Sequence, residues 1–268
     1  MRVGYVQSAP VFGETAANVE RSVELMSLGS AELWVLPELA NTGYMFTSAA
    51  EARELAEPVP DGPSSRRWMD FAKETGVSLV AGIAELADRT VYNSALVCSP
   101  EGHVTTYRKT HLFDAENKWF EPGDTPPAVV TLAGARVGVM ICFDWFFPEV
   151  ARTLALLGAD IIAHPANLVL PWCQRAMLAR CIENHVYAVT ANRVGTEDRA
   201  GSALTYTGGS QILSPSAELL AGASADAEEI GVAELDPATA RDKRINDHND
   251  LLADRRPEFY LRLGERES

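Results

Sequence analysis

Three residues of different chemistry each close an apolar segment. Cys142 ends the run Val137-Gly138-Val139-Met140-Ile141 and is followed by Phe143-Asp144-Trp145-Phe146-Phe147-Pro148-Glu149. Glu38 follows Leu33-Trp34-Val35-Leu36-Pro37, and Lys109 follows Val104-Thr105-Thr106-Tyr107-Arg108. Strand ends are where α/β folds gather reactive groups, because the strand is fixed and the loop beyond it is open to a ligand. A thiol, a carboxylate and an ammonium delivered in this way suit acyl transfer. The thiolate is the nucleophile, a partly desolvated carboxylate gains basicity, and an ammonium favours both the thiolate and the oxyanion of a tetrahedral intermediate. Each residue also has a plainer reading: Cys142 as a buried small hydrophobe, Glu38 as a loop acid bonded to backbone, Lys109 as a surface lysine beside Arg108. A Cys–His dyad is the competing arrangement, with His111, His164 and His185 as candidate bases. No local cysteine-protease signature surrounds Cys142.

Positioning such groups requires buried strands and the helices that cover them. Residues 3–7, 33–36, 78–84, 90–98, 103–107, 136–141, 161–164, 186–191, 209–213 and 231–235 read as strands. Helices are expected over residues 64–75, 148–157 and 174–183, and another opens near Thr15, a candidate cap, with Val19, Val23, Leu25 and Met26 on its inner side. Gly76 stops the helix that carries Trp68, Phe71 and Ala72 inward, and Pro148 sits in the first turn of the helix over residues 148–157. Ser99-Pro100-Glu101-Gly102 reads as a hairpin turn, so antiparallel pairs mix with strand–helix units. That mixture predicts a two-layer sheet covered by helices rather than a purely parallel doubly wound sheet. Residues 110–125 form an irregular polar and aromatic loop, and residues 246–268 a C-terminal arm suited to packing on a partner subunit.

The chain has 268 residues, 47% of them hydrophobic, and no linker, low-complexity tract or short repeat, so one domain spanning residues 1–268 is expected. A net charge of −14 argues against nucleic acid, which is bound by clustered Lys and Arg. Nothing approaches a bilayer-spanning run or a signal-peptide core, and a cytoplasmic location is expected. Four cysteines, at 98, 142, 173 and 181, are too scattered for a disulfide framework or a zinc site, and no metal is expected. Cys173 and Cys181 share one helix face as buried small hydrophobes.

Beyond composition, the motifs resemble a family. Leu36-Pro37-Glu38 with Gly43-Tyr44, then Tyr107-Arg108-Lys109-Thr110-His111-Leu112-Phe113, then Gly138-Val139-Met140-Ile141-Cys142-Phe143-Asp144 with Pro148-Glu149, are similar to the three ordered motifs of the carbon–nitrogen hydrolase, or nitrilase-like, superfamily. The order Glu, Lys, Cys and the intervals of 71 and 33 residues agree, and Asn93-Ser94-Ala95, Phe120-Glu121-Pro122-Gly123-Asp124, His164-Pro165-Ala166-Asn167 and Glu183-Asn184 extend the likeness over nearly the whole chain. The nearest likeness is to the short single-domain amidases. The resemblance implies a four-layer α-β-β-α sandwich, paired through its helices in a dimer or higher homo-oligomer, and no cofactor. It implies Glu38 as base, Lys109 as the oxyanion-stabilising ammonium together with the Phe143 backbone N–H, Cys142 as nucleophile, and Glu116 as the second glutamate beside the triad.

Pocket walls are expected from Tyr44, Trp119, Trp145, Phe146 and the loop Asn167-Leu168-Val169-Leu170-Pro171-Trp172, which suit a small, partly apolar acyl group. The substrate expected is a small carboxamide cleaved to acid and ammonia through a Cys142 thioester. A nitrilase or an N-carbamoyl amine hydrolase shares the triad, and a catalytically silent scaffold is the alternative of another class. Arg175 is a candidate carboxylate binder, whereas Gly208-Gly209 does not make a phosphate-binding fingerprint.

Overall fold

The structure, a computed structural model, describes residues 1–260. Its first half runs β1 (Arg2–Gln7), α1 (Thr15–Ser27), β2 (Leu33–Val35), α2 (Ala49–Leu55), α3 (Pro63–Thr75), β3 (Ser78–Ala87), β4 (Thr90–Ser99) and β5 (Gly102–Arg108). The second runs β6 (Val129–Leu132), β7 (Ala135–Val139), α4 (Pro148–Leu156), β8 (Ile161–Pro165), α5 (Cys173–Asn184), β9 (Tyr187–Ala191), β10 (Thr196–Arg199), β11 (Ser202–Thr205), β12 (Gln211–Leu213), β13 (Leu219–Gly222) and β14 (Glu229–Glu234). After these come α6 (Pro237–Arg241) and the short pair β15 (Arg244–Asn246) and β16 (Asn249–Asp250).

Two six-stranded sheets carry the fold, in the orders β14-β1-β2-β3-β4-β5 and β13-β12-β9-β8-β7-β6. Each holds three parallel neighbours, β1–β2–β3 and β7–β8–β9, extended on both sides by antiparallel strands. The period-two alternation of a strand separates its side chains onto two cores. Val3, Tyr5, Val35, Val80 and Val97 face the second sheet and pack with Val137, Val139 and Ile161. Val6, Trp34, Leu79, Ala81 and Leu96 turn the other way onto Val19 and Val23 of α1 and Trp68 and Phe71 of α3. Leu154 of α4 and Met177 and Cys181 of α5 cover the outer face of the second sheet. The result is the expected four-layer α-β-β-α sandwich, whose middle two layers meet along the apolar faces of both sheets.

Local expectations were met where tertiary burial and propensity agree. Gly76 adopts the left-handed conformation that ends α3, and Pro148 stands at the start of α4. Thr15 is not a cap: α1 begins on Thr15 itself, and Glu14 before it makes no side-chain capping bond. The strand expected at 231–235 lies at Glu229–Glu234, set by its pairing of Glu229 with Gln7 and Glu234 with Arg2, and it is not the last, since β15 and β16 follow it. The short α2, capped by Ser48 Oγ accepting from the Glu51 N–H, and the exposed β10–β11 hairpin have no apolar periodicity to announce them. Of the C-terminal arm, residues up to 260 form the β15–β16 pair and an exposed turn at Pro257–Phe259, and residues 261–268 lie outside the described residues. Among the described residues no helix is long and apolar enough to cross a membrane.

Candidate active site

The carboxyl ends of the parallel strands converge, and with them the reactive side chains. Glu38 lies just beyond β2, where Gly82 of β3 lets the turn approach: a Cβ on Gly82 would stand 2.3 Å from the Pro37 carbonyl oxygen and 2.4 Å from Glu38 Cα. Asn93 of β4 donates through Nδ2 to Glu38 Oε1 (2.7 Å), and its carbonyl accepts the Lys109 N–H (2.8 Å). Thus the strand pairing that ends β5 also sets Lys109 against Glu38. Arg108 secures that end, bonded twice to Glu85 and twice to Asp124, with its guanidinium 4.0 Å above the Tyr92 ring.

Lys109 Nζ donates to Glu38 Oε1 (2.7 Å) and to both oxygens of Glu116 (2.7 and 2.8 Å). All three ammonium hydrogens are therefore committed. Glu116 lies on a single 3₁₀ turn, Asp114–Lys118, inside the predicted irregular loop, and also accepts the Tyr44 hydroxyl (2.6 Å). Glu38 and Lys109 have no exposed surface and Glu116 has 3%. Burial disfavours the Lys109 ammonium, but the charges of Glu116 and Glu38 outweigh it and hold the lysine pKa above its ordinary value. For Glu116 desolvation dominates and raises the carboxyl pKa, opposed by Lys109 and by the Tyr44 hydrogen bond.

Cys142 opens a 3₁₀ turn, Cys142–Phe146, with a positive φ of 40°. That backbone is costly for any residue but glycine, and here it aims the side chain away from the strand. Asp144, fully buried, holds the turn: it accepts the N–H of Ile141 (2.9 Å), the N–H (3.0 Å) and Nδ1 (2.9 Å) of His111, and the Tyr107 hydroxyl (2.8 Å). The Cys142 turn is thereby tied to the strand that leads into Lys109. His164 Nε2 donates to the Cys142 carbonyl (3.0 Å) while Nδ1 meets Thr190 Oγ1 (3.1 Å), and burial pushes the His164 pKa down to about 4. The imidazole is neutral and supports the backbone. His111 serves Asp144, and His185 Nε2 faces the Thr239 carbonyl, so all three candidate dyad histidines have other partners. Burial, reinforced by Glu38, pushes the Cys142 thiol pKa well up, and Lys109 only partly offsets this. Lys109 favours the thiolate, as expected of an ammonium beside a thiol, but burial and Glu38 outweigh it and favour the neutral thiol.

Two chambers meet at Phe113. One, about 20 Å³, is lined by Cys142, Phe143, Trp145, Asn167, Leu168, Val169 and Leu170. The other, about 430 Å³, contains Tyr44, Glu116, Trp119, Lys118 and Arg199. Tyr44 and Trp119 thus belong to the outer chamber, and Trp145 and Asn167 to the one at the thiol. Of the expected loop, residues 167–170 line the chamber at the thiol, whereas Trp172 is a correction: the chain turns into α5 at that point, leaving the indole 52% exposed and outside both chambers. Phe146 is likewise exposed, and Arg175 projects from α5 outside both chambers. Asn167 reaches across the sheets, donating through Nδ2 to the Glu38 carbonyl (2.9 Å).

The chain matches the family model described as carbon-nitrogen hydrolase over residues 2–245. A Pyrococcus abyssi protein named nitrilase is 51% identical over 265 residues, covering 98% of this chain and all of that one. A Pseudomonas (R)-stereoselective amidase is 35% identical, covering 96% of this chain and 92% of its own. The crystal structure of a carbon-nitrogen hydrolase from Helicobacter pylori superposes with a TM-score of 0.90 at 27% identity, covering 99% of this chain and 98% of that chain.

Proposed function

The chain belongs to the carbon–nitrogen hydrolase family, and from that premise we propose that it is an amidase cleaving a small carboxamide to a carboxylic acid and ammonia. The observation that carries this reading is a buried ammonium held between two buried carboxylates in the same site as a buried thiol. Because the thiol is not ionised at rest, its proton must leave as sulfur attacks, and Glu38 is the base proposed to accept it. Sulfur bonds to the amide carbon, and the carbonyl oxygen becomes an oxyanion. The Phe143 N–H, in the first turn of a 3₁₀ segment and so without an intrahelical partner, is one donor to it. Lys109 is the other, giving up one of its two bonds to Glu116. Glu38 returns the proton to nitrogen, the C–N bond breaks, and ammonia departs from a Cys142 thioester. Water, deprotonated by Glu38, then attacks the thioester carbon; the C–S bond breaks, the Cys142 sulfur takes the proton back from Glu38, and the acid is released. In this scheme Glu116 orients Lys109 throughout.

The hydrogen-bond inventory supports an amide. Among the described residues, Glu38 Oε2, Asn93 Oδ1 and Asn167 Oδ1 are buried acceptors without a donor, and Asn167 lines the chamber that contains Cys142. The orientation of both asparagines is fixed, since each Nδ2 faces an oxygen of Glu38. Unpaired buried acceptors favour a ligand that brings N–H groups, and a primary amide brings two where a nitrile brings none. A second reading, nitrile hydrolysis, is favoured by the name of the 51% identical relative. Ammonia release measured side by side from small primary amides, nitriles and N-carbamoyl amines tests the choice. Turnover of amides is expected, and turnover of nitriles with none of amides overturns it. No turnover, with no acyl group captured on Cys142, points to the scaffold.

A homodimer through α4 and α5 is part of the proposal. Leu156 and Leu157 at the end of α4, and Leu178 and Ile182 one turn apart on α5, are exposed. The outer faces of α1 and α3 instead carry Glu20, Arg21, Glu24, Asp70, Lys73 and Glu74. An apolar helical face beside a charged one marks the surface that a second copy would cover.

A further inference from the structure

Among the described residues, the most buried ion pair outside the Glu38–Lys109–Glu116 cluster is Arg193 with Glu197, 2% and 6% exposed. Both follow β9, and the triad does not contact them through any hydrogen bond. Arg193 Nη1 donates to Glu197 Oε1, and Nη2 donates to the Pro10 carbonyl (2.8 Å). The remaining bonds of the Glu197 carboxylate go to a distant loop: it accepts the N–H of Tyr44 (3.1 and 3.2 Å) and of Met45 (2.7 Å). Gly43 makes room for this approach, since a Cβ there would lie 2.8 Å from Glu197 Oε1 and 2.9 Å from Phe12 Cα, on a backbone with φ +81°. The Tyr44 ring is held as well. Its edge meets Tyr206 (centroids 6.2 Å apart, planes at 83°), and the other side of that contact is the Arg193 guanidinium, 4.0 Å from the Tyr206 ring centre. Backbone and ring of Tyr44 are thus fixed by the same ion pair, and its hydroxyl ends 2.6 Å from Glu116 Oε1.

We propose that Arg193 and Glu197 are positioning residues for the hydrolysis: they hold the loop of residues 43–45 so that the Tyr44 hydroxyl fixes Glu116 on Lys109. The inference rests on the proposed role of the Glu38–Lys109–Cys142 cluster. Neither residue touches the space available to substrate, and their influence passes through Tyr44. A pair that served stability alone would have no reason to change the titration of the site. One that positions Tyr44 does, because the hydroxyl bond stabilises the ionised form of Glu116 and its loss lets the carboxyl take a proton at higher pH.

The test compares pH profiles of kcat/KM for wild type, Tyr44→Phe, Glu197→Gln and the double variant, on an amide the wild type cleaves. Loss of a hydrogen bond to a charged group predicts a fall of about ten-fold for Tyr44→Phe, with the acidic limb moved to higher pH. Glu197→Gln is expected to move the limb the same way, and the double variant to be no worse than Tyr44→Phe, since both act on one contact. Gly43→Ala displaces the same loop without altering a buried charge and is expected to reproduce the shift. An unchanged profile in Tyr44→Phe overturns the proposal even if Glu197→Gln does not fold, and so do effects of Glu197→Gln and Tyr44→Phe that multiply. A wild type inactive on every amide overturns the hydrolase reading and this inference with it, whereas an active wild type with unmoved variants overturns this inference alone.

Discussion

Replacing Lys109 by methionine removes one charge and nearly no volume, and its cost follows from what is left behind. Glu38 and Glu116 each have an oxygen 2.7 Å from the same Nζ, so these two oxygens are no more than about 5.4 Å apart. At an effective dielectric near 20 their repulsion is about 3 kcal/mol. Breaking a buried ion pair by deleting one partner costs about 3–5 kcal/mol, a figure of the same size. For a chain of this length about 2–4 °C of Tm is lost per kcal/mol, giving a fall of about 6–20 °C at pH 8. The deficit must depend on pH. Glu116 already has a raised pKa with the ammonium in place, and loss of the ammonium that lowers it raises it further above its unfolded value of about 4.3. The folded variant then binds the extra proton, so the deficit relative to wild type is full above the folded pKa, shrinks as pH falls through it, and is gone below the unfolded one. Lys109 in the wild type stays charged across this window. Thermal unfolding followed by circular dichroism at pH 5 and pH 8 measures the difference. An equal deficit at both values would show that lost packing, rather than two unpaired carboxylates, sets the cost.

Cys142→Ala is expected to abolish turnover with Tm unchanged within a few degrees, read by ammonia release and thermal unfolding, and Glu38→Gln to leave Cys142 unacylated by a slowly turned-over amide, read by intact-protein mass spectrometry; an acyl adduct on Glu38→Gln removes that residue as base. His164 has a folded-state pKa of about 4, below its unfolded value of about 6.5, so wild-type stability falls as pH drops through that window, by up to about 1.4 kcal/mol per pH unit. His164→Gln is expected to flatten that slope in urea titrations at pH 7, 5.5 and 4.5, and an unchanged slope contradicts the assignment. Ile182→Asp is expected to convert a dimer to a monomer in sedimentation velocity; a wild type that already sediments as a monomer refutes the α4–α5 interface.

Cys142, Glu38 and Lys109 were legible because each ends a strand that burial makes apolar, and that pattern is local. Glu116 was legible only by likeness of spacing, since nothing around Asn117-Lys118-Trp119 announces a buried acid. Asp144 was visible as a lone carboxylate in an apolar stretch, and its four donors were not, because Tyr107 and His111 reach it across the fold. The same limit hid Glu197, whose partner amide at Tyr44 is 153 residues away. Trp172 was misplaced because an aromatic next to an asparagine loop does not reveal on which side of the turn it emerges.

Two carboxylates around one ammonium leave the buried cluster with a formal charge of −1. Under the proposed hydrolysis this makes the site a filter for traffic as well as a place for chemistry. The amide enters neutral and meets no field opposing it, while the carboxylate product is born as an anion beside an anion and is expelled. Return of product is penalised in the same measure, so small carboxylates are expected to be poor competitive inhibitors and their neutral amides good ligands of the same pocket. The charge that organises the nucleophile therefore also sets the direction in which the reaction empties.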